Sequence, residues 1–570
     1  MKKNCWYKAT AAFLAATLLL PGCGKAVNEK MASELNVIDD KYRTTYEIFV
    51  YSFYDSDGDG IGDLKGVTEK LDYINDGNDT TDTDLGCNEI WLMPVSPSPT
   101  YHKYDVTDYK DIDPQYGTIE DFDELVDECH KRGVNVIVDT VLNHTSVEHP
   151  WFKAAAQYIS DNADILLTRN ETADRQSDDT ADLIFFEEDY QACPYISYYN
   201  FSYEKFDGYE PLPGTDFYYE ARFCSGMPDL NLDNEAVRDE IKDIAQFWID
   251  HGVDGFRLDA VSYYYTGDDS KNIEFLTWLN DTVKSQKEDA YIVGECWTNS
   301  STYLKYYKSG VDSFFDFDFA GSEGTIAGVA RGTSAAANYG KALEKIESQL
   351  AEISGTAIDA PFYTNHDMAR SAGYFTGKGS QDKVKLAGAL NLLMTGNAFI
   401  YYGEELGMKG SGKDENKRAP MQWSSTDLTG MCNGPADMDK FDMKYPALDE
   451  QAADEYSIFN YYKAAIKLRN MFPVIARGKT VVVDSLSDGD ISAFVREKKE
   501  ESSYDTDEEK LLILINTSDE AKTVDISTDD MSKDYTKLVY NLCTGEEKCE
   551  YNDGKVVIPA YGIAVLAAGN

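Results

Sequence analysis

Short apolar runs recur along the chain, separated by stretches whose apolar residues return every three or four positions. The runs are YEIFVYSF (46–53), NEIWLMPV (88–95), VNVIVD (134–139), GFRLD (255–259), AYIVGE (290–295), DSFFDFDF (312–319), APFYTNHD (360–367) and NAFIYYG (397–403). Nearly continuous apolarity is expected of strands covered on both faces in a parallel sheet. Between them, IEDFDELVDECHKRG (119–133) and EAVRDEIKDIAQFWIDHG (235–252) carry helical periodicity and close on Gly, a common helix stop. Eight such strand–helix units predict an α/β fold, a (β/α)8 (TIM) barrel, in which the reactive groups gather at the C-terminal ends of the strands. The residues there are ionisable: Asp139 and His144, Asp259, Glu295, His366 and Asp367.

Two departures from the alternation predict further domains. Residues 145–226 separate the third and fourth strands, far more than a connecting loop needs, and are rich in aromatic and polar side chains. They read as an inserted domain roofing one side of the barrel mouth, which leaves 41–144 and 227–474 for the barrel. After the helical stretch YYKAAIKLRNM (461–471) the pattern changes to short strands: TVVVD, ISAFVRE, KLLILIN, KTVDIS, KLVYNL, KVVIPA and IAVLAA. That period predicts an all-β sandwich over 475–570. The charged run KKEESSYDTDEEK (498–510) is expected to be a solvated hairpin loop within it.

The start of the chain reads as an address. Lys2 and Lys3 precede an apolar stretch over 11–20 that is too short to span a bilayer, which takes about 20 residues. It ends in Leu20-Pro21-Gly22-Cys23, which resembles the lipobox of bacterial lipoproteins. Residues 1–22 are then a signal peptide, Cys23 the lipidation site and 23–40 a tether. This layout predicts an extracellular protein anchored to the cell membrane of a bacterium by lipid rather than by a spanning helix.

Composition narrows the class. With 42% hydrophobic and 13% aromatic residues the chain has ample material for a core, which excludes wholesale disorder. A net charge of −48 argues against nucleic acid as a partner, since phosphate binding needs a basic face. Of the 10 cysteines, Cys543 and Cys549 flank a hairpin-like turn and are candidates to pair, with Cys193 and Cys224 a weaker candidate pair. No Cys/His spacing of a zinc site is present. One acidic loop does suit a metal: Asp55-Ser-Asp57-Gly-Asp59-Gly-Ile61-Gly-Asp63 sets carboxylates on alternate residues with glycines for sharp turning, as a hard, oxygen-seeking cation such as Ca²⁺ requires. It is not an EF-hand, because the twelfth position from Asp55 is Gly66 rather than Glu.

Four segments in order, each at a predicted strand end, carry a wider likeness: Asp139-Thr-Val-Leu-Asn143-His144, Gly255-Phe-Arg257-Leu-Asp259, Val-Gly-Glu295-Cys-Trp and Asn365-His366-Asp367. With Met227-Pro-Asp-Leu-Asn231 as a fifth, the chain resembles glycoside hydrolase family 13, the α-amylase family. The wording is that of members intermediate between oligo-1,6-glucosidases and neopullulanases, which include lipoprotein α-amylases. The resemblance implies a retaining endo-type hydrolase of α-1,4 bonds in starch and maltodextrin, with Asp259 as nucleophile, Glu295 as acid and then base, and Asp367 holding sugar hydroxyls. It also implies that His144 and His366 bind the sugar being cleaved, that Tyr104 stacks on it and Asp105 hydrogen-bonds it. Arg257 would keep the nucleophile ionised, and Arg370 would orient Asp367 or contact substrate. Trp297 is a candidate to line the cleft, and Tyr109 a structural residue.

Chemistry supports those roles. Glycosidic cleavage needs a proton donor at the leaving oxygen and an anion beside an oxocarbenium-like sugar. Asp259 and Glu295 end neighbouring strands, about 4.8 Å apart in a parallel sheet. In family members with the same acidic loop, it holds a structural Ca²⁺, with Asp55, Asp57, Asp59, the Ile61 carbonyl and Asp63 as ligands. One departure stands out: where many α-amylases have Lys-His on the leaving-group side, this chain has Ser262 and Tyr263. That leaves room for an oligo-1,6-glucosidase, neopullulanase or 4-α-glucanotransferase activity; outside enzymes, the alternative is a non-catalytic starch-binding lipoprotein. A monomer is expected.

Overall fold

The computed structural model describes residues 41–569 apart from 79–80, 173–180, 501–503, 505 and 507. The expected leader, the tether and Cys23 lie outside the described residues. No helix among the described residues is long and apolar enough to cross a membrane.

The chain begins with strands β1 (Thr44–Ile48), β2 (Glu89–Leu92) and β3 (Asn135–Thr140). An insertion follows, with helices Pro150–Asp161, Ala163–Thr172 and Glu187–Ala192 and a small sheet of β4 (Phe201–Ser202), β5 (Tyr209–Pro211) and β6 (Tyr218–Glu220). The large sheet resumes with β7 (Gly255–Leu258), β8 (Tyr291–Gly294), β9 (Ser313–Phe314) and β10 (Ala398–Tyr401). These seven strands pair in parallel in the order β10-β1-β2-β3-β7-β8-β9. Parallel bridges Phe315–Ala360 and Phe362–Phe399 insert residues 360–362 between β9 and β10, which closes the barrel with an eighth segment.

The strands are apolar throughout because alternate residues serve two layers. Trp91, Ile137, Tyr291, Val293, Phe315, Phe362 and Phe399 form one buried cluster, the filling of the barrel. Their strand neighbours Ile90, Leu92, Val136, Val138 and Ile292 belong to the main core outside it, under the helices. Helix Ile119–Lys131 shows how the units are punctuated. Thr118 and Asp121 form a capping box at its start, Phe122, Leu125, Val126 and Cys129 supply its buried stripe, and Gly133 (φ +70°) takes the left-handed turn after its end.

The structure shortens several of the expected strands, 88–95 to Glu89–Leu92 among them. The run over 46–53 is a strand only to Ile48; the backbone then turns in a 3-10 helix, Val50–Ser52, leading into the acidic loop. In 312–319 and 360–367, pairing is confined to β9 and the bridges, and the polar ends turn out of the sheet. In the C-terminal domain the seven expected strands are present as β11 (Lys479–Val482), β12 (Ile491–Glu497), β13 (Lys510–Asn516), β14 (Lys522–Asp525), β15 (Lys537–Leu542), β17 (Lys555–Ile558) and β18 (Ile563–Ala567). An eighth, β16 (Glu550–Asn552), has no apolar alternation to signal it. They form sheets of order β11-β12-β13-β18-β15 and β14-β17-β16. A shared cluster that includes Leu512, Leu514, Val556, Ile558, Ala564 and Leu566 fills the space between them.

Glu347, on barrel helix Ala337–Ile353, fastens this domain to the barrel. Its carboxylate accepts from Arg496 Nη1 at 2.5 Å and from the Thr480 amide and hydroxyl at 2.5 and 2.7 Å, and Arg496 is fully buried. Glu347→Ala would leave a buried guanidinium without its counter-charge. It is expected to cost about 3–5 kcal/mol, read as a lower midpoint of urea unfolding, whereas Glu347→Gln, which keeps an acceptor, is expected to lose less.

Candidate active site

The barrel mouth is organised around Arg257, whose side chain has no exposed surface. Its Nη1 lies 2.6 Å from Asp259 Oδ1 and 3.0 Å from Asp139 Oδ1, and its Nη2 lies 3.1 Å from Glu295 Oε1. The sheet register makes this possible. Asp139 is paired with Arg257, and Leu258 with Gly294, so Asp259 and Glu295 each come one residue after a register pair. The Glu295 amide donates to the Leu258 carbonyl at 2.9 Å, and its Oε2 accepts from the Ala260 amide at 3.2 Å. Ala260, the residue after Asp259, stands at φ +48°, a left-handed conformation that costs a non-glycine residue energy.

Burial disfavours charge on Glu295 and lifts its carboxyl to about 7; Asp259 and Asp367 add to the rise and Arg257 opposes it. Burial likewise raises Asp139 above the usual carboxylate range, against the pull of Arg257. Glu295 Oε1 meets Arg257 Nη2 as an ion pair outside hydrogen-bond alignment, and His144 Nε2 is buried without a hydrogen-bond partner among the described residues.

A second chain of charges crosses the mouth. His366, fully buried, places Nδ1 2.5 Å from Glu47 Oε1 and Nε2 3.1 Å from Asp367 Oδ2. Burial alone would neutralise the ring, but Asp367 and Glu47 outweigh it and hold its pKa at about 10. His366 in turn outweighs the desolvation of Asp367 and, with Arg418, depresses that carboxyl far below its ordinary value. Arg418 Nη2 lies 2.8 Å from Asp367 Oδ1. Tyr104 stacks on His366, ring centroids 5.5 Å apart, and its hydroxyl meets Asp139 Oδ2 at 3.0 Å and His366 Nε2 at 2.7 Å.

Asp259, Glu295 and Arg257 on one side and Asp367, His366 and Tyr104 on the other are each joined by direct contacts, and Asp139, bonded to both Arg257 and Tyr104, links the two groups. His144 sits at the edge of this group. Its carbonyl accepts from Tyr109 Oη at 2.7 Å, a structural bond, and its backbone bridges to Asp229 of the Met227-Pro-Asp segment. Asp105 is buried, with Oδ1 accepting from Ser98 Oγ at 2.7 Å and from the Thr100 hydroxyl. Of the two roles expected of Arg370, the first is not taken up: among the described residues it makes no bond to Asp367. Its guanidinium donates to the Tyr402 carbonyl at 2.6 Å and the Lys417 carbonyl at 2.8 Å and lies over the rings of Tyr401 and Tyr402. The arginine on Asp367 is Arg418.

Arg418 and Glu47 escaped the sequence reading because neither belongs to a segment that signals chemistry. Glu47 is one polar residue inside an apolar strand, a signal that could have been used, since a lone buried carboxylate needs a partner. At the rim, Phe223 from the insertion packs on His144 and on Tyr263, centroids 5.1 and 4.9 Å away, and Trp297 stacks on Phe317 at 5.1 Å. Phe223, Tyr263 and Trp297 are 43%, 42% and 49% exposed, unusual for large rings and suited to stacking on a ligand.

In the acidic loop, carboxylate oxygens of Asp55, Asp57 and Asp63 all lie within 4.8 Å of one another. Asp59 does not join them; its Oδ1 accepts from the Ile61 amide at 2.7 Å. Asp55 also accepts from the Gly58 and Gly60 amides and Asp63 from the Ser56 and Gly66 amides, which fixes the loop's curvature. Gly60 stands at φ +94°, a conformation L side chains rarely adopt, and a Cβ there would also displace the Asn433 side-chain amide. A donor set of hard oxygens converging on one point fits Ca²⁺.

Residues 47–478 match the family model "Alpha amylase, catalytic domain". "Alpha-amylase 3" of Dictyoglomus thermophilum is 37% identical over 91% of this chain and 92% of its own length. An oligo-1,6-glucosidase of Bacillus sp. is 30% identical over 81% of this chain and 98% of its own. Among solved structures, Eubacterium rectale Amy13B superposes with a TM-score of 0.84 at 48% identity, covering 97% of this chain and all of that one. With its barrel, its carboxylates gathered on one arginine and this likeness over nearly its whole described length, the chain belongs to the α-amylase family, glycoside hydrolase family 13, and is a glycoside hydrolase.

Proposed function

We propose that the protein hydrolyses α-1,4 bonds within starch and maltodextrin, with retention, through a glucosyl ester on Asp259. The observation that carries this reading is the single guanidinium of Arg257 set between Asp259 and Glu295, the first aligned by it at 2.6 Å and the second lifted toward neutrality by burial. Glu295 in its acid form gives its proton to the glycosidic oxygen while Asp259 attacks C1. The departing chain takes that proton, and Glu295, now a carboxylate, takes one from the water that attacks C1 and frees Asp259. Asp367, pinned as an anion between His366 and Arg418, accepts from sugar hydroxyls and strengthens its hold as positive charge grows on the ring. Tyr104, stacked on His366, offers a flat ring to the sugar's apolar face. The α-1,4 preference draws on the α-amylase named among the relatives. A second reading, α-1,6 cleavage or transfer, is favoured by one observation: Tyr263, in place of the family's histidine, makes an apolar pair with Phe223 at the rim.

The experiment that tests the first reading is a digest of amylose, pullulan and isomaltose with products sized over time. Internal cleavage of amylose is expected first, and release of glucose from isomaltose alone would sink it. In the same assay Asp259→Asn is expected to lose about 10⁴-fold or more of the rate; a variant as active as the parent would remove the catalytic assignment and leave glucan binding.

The pH dependence follows from Glu295. A raised pKa means the acid form predominates below about pH 7. kcat/KM is expected to hold below that limb and to fall about tenfold per unit above it, a limb that Glu295→Gln should lack. A flat profile from pH 6 to 9 in the parent would contradict the assignment.

We further propose that the loop of Asp55, Asp57 and Asp63 holds a structural Ca²⁺, with Asp59 and the Ile61 carbonyl expected at its margin. A cation bound only by the folded state stabilises it, by about 2.7 kcal/mol at a hundredfold excess over Kd. Chelator is expected to lower the melting temperature of the parent but not of Asp55→Ala. Equal melting of the parent with and without chelator would exclude the site.

A further inference from the structure

The C-terminal domain carries a pair of sulfurs that the glycosidic chemistry does not use. Cys543 follows the last residue of β15 and Cys549 precedes the first of β16, and their Sγ atoms lie 3.8 Å apart as free thiols. A covalent S–S bond is about 2.05 Å long, so closing the gap takes side-chain rotation rather than refolding. The loop between them packs against the barrel. Lys385, a nearly buried residue of helix Ser380–Leu392, donates from Nζ to the Thr544 carbonyl at 2.8 Å and to the Tyr456 carbonyl. Lys548 lies over the Tyr456 ring at 5.2 Å, and Tyr540 donates to the Ala464 carbonyl at 3.0 Å. The loop is thus a point of attachment between the β-domain and the helices behind the catalytic barrel.

The two thiols are not equivalent. Cys549 is 5% exposed, whereas Cys543 is only partly covered. The Cys549 thiol, hydrogen-bonded to Cys543, favours the thiolate of Cys543, and its own pKa is pushed up by that same contact and by burial. An accessible sulfur that ionises first beside a sheltered one that ionises last is the arrangement of an attacking and a resolving cysteine. Cys193 and Cys224, the other pair considered, also stand as free thiols, the first buried and the second exposed.

We propose that Cys543 and Cys549 are a redox-active pair that closes to a disulfide by exchange with a small-molecule disulfide, locking the 543–549 loop in its place against the barrel. The Cys543 thiolate attacks one sulfur of the small disulfide, forming a mixed disulfide and expelling one thiolate. Cys549 sulfur then attacks Cys543 sulfur, its proton leaving with the second expelled thiolate. Two protein thiols are oxidised and one external disulfide is reduced to two thiols.

The test equilibrates the full-length protein across a series of oxidised-to-reduced glutathione ratios, quenches with acid, alkylates and reads the 543–549 peptides by mass. The linked form, lighter by two hydrogens, is expected to dominate at the oxidising end. Cys549→Ser is expected to trap glutathione on Cys543, and Cys543→Ser to leave Cys549 unmodified. The linked protein is expected to melt a few degrees higher than the reduced one, a difference absent in the double serine variant. Full alkylation of both cysteines at every ratio, or glutathione retained on Cys543 of the parent, would overturn the pair. Equal melting of linked and reduced forms would overturn the lock.

Discussion

The burial of one positive charge governs this molecule. Arg257 is a guanidinium with no exposed surface in the mouth of a barrel filled by Trp91, Tyr291, Phe315 and Phe399, and its carbon lies 5.1 Å over the Trp91 ring. Removing such a cation from water costs several kcal/mol unless anions surround it. The carboxyl groups of Asp139, Asp259 and Glu295, from three adjacent strands, face it. The constraint runs both ways, because carboxylates crowded into a dry site resist ionisation together and the surplus proton rests where burial weighs most. Stabilising the barrel mouth and lifting Glu295 toward its acid form are one physical event.

The second chain, Glu47–His366–Asp367–Arg418, does the complementary work of keeping a group charged. It joins β1 to the segment that closes the barrel, so its integrity depends on the circle being complete. His366 is held as a cation by carboxylates on both sides, and Asp367 is held as an anion by His366 and Arg418. Two buried networks, one raising an acid and one depressing it, separate the protonation states of carboxylates that would otherwise titrate alike.

Of the outer parts, the insertion borders this site and the β-domain is fastened elsewhere. The insertion is pinned where Leu230 and Thr145 exchange backbone bonds with Asn143 and Pro228, and that junction carries Phe223 over His144. The β-domain stands behind the barrel, joined through Glu347–Arg496 and the 543–549 loop.

The sequence by itself determined the architecture and most of the chemistry. Apolar runs with ionisable ends give strands and mouth, period-two patterning gives the β-domain, Asp259, Glu295, His366 and Asp367 are legible at the ends of those runs, and Arg257 through the family resemblance. What tertiary structure alone decided is who faces whom. Arg418 rather than Arg370 reaches Asp367, Glu47 reaches His366 across the closed barrel, Asp59 turns from its neighbours, and β16 pairs without a pattern of its own. These outcomes depend on ion pairs and hydrogen bonds between residues far apart along the chain. A hydrogen bond needs its partners within about 3 Å and a contact ion pair within about 4 Å, so they exist only once folding has brought the partners together.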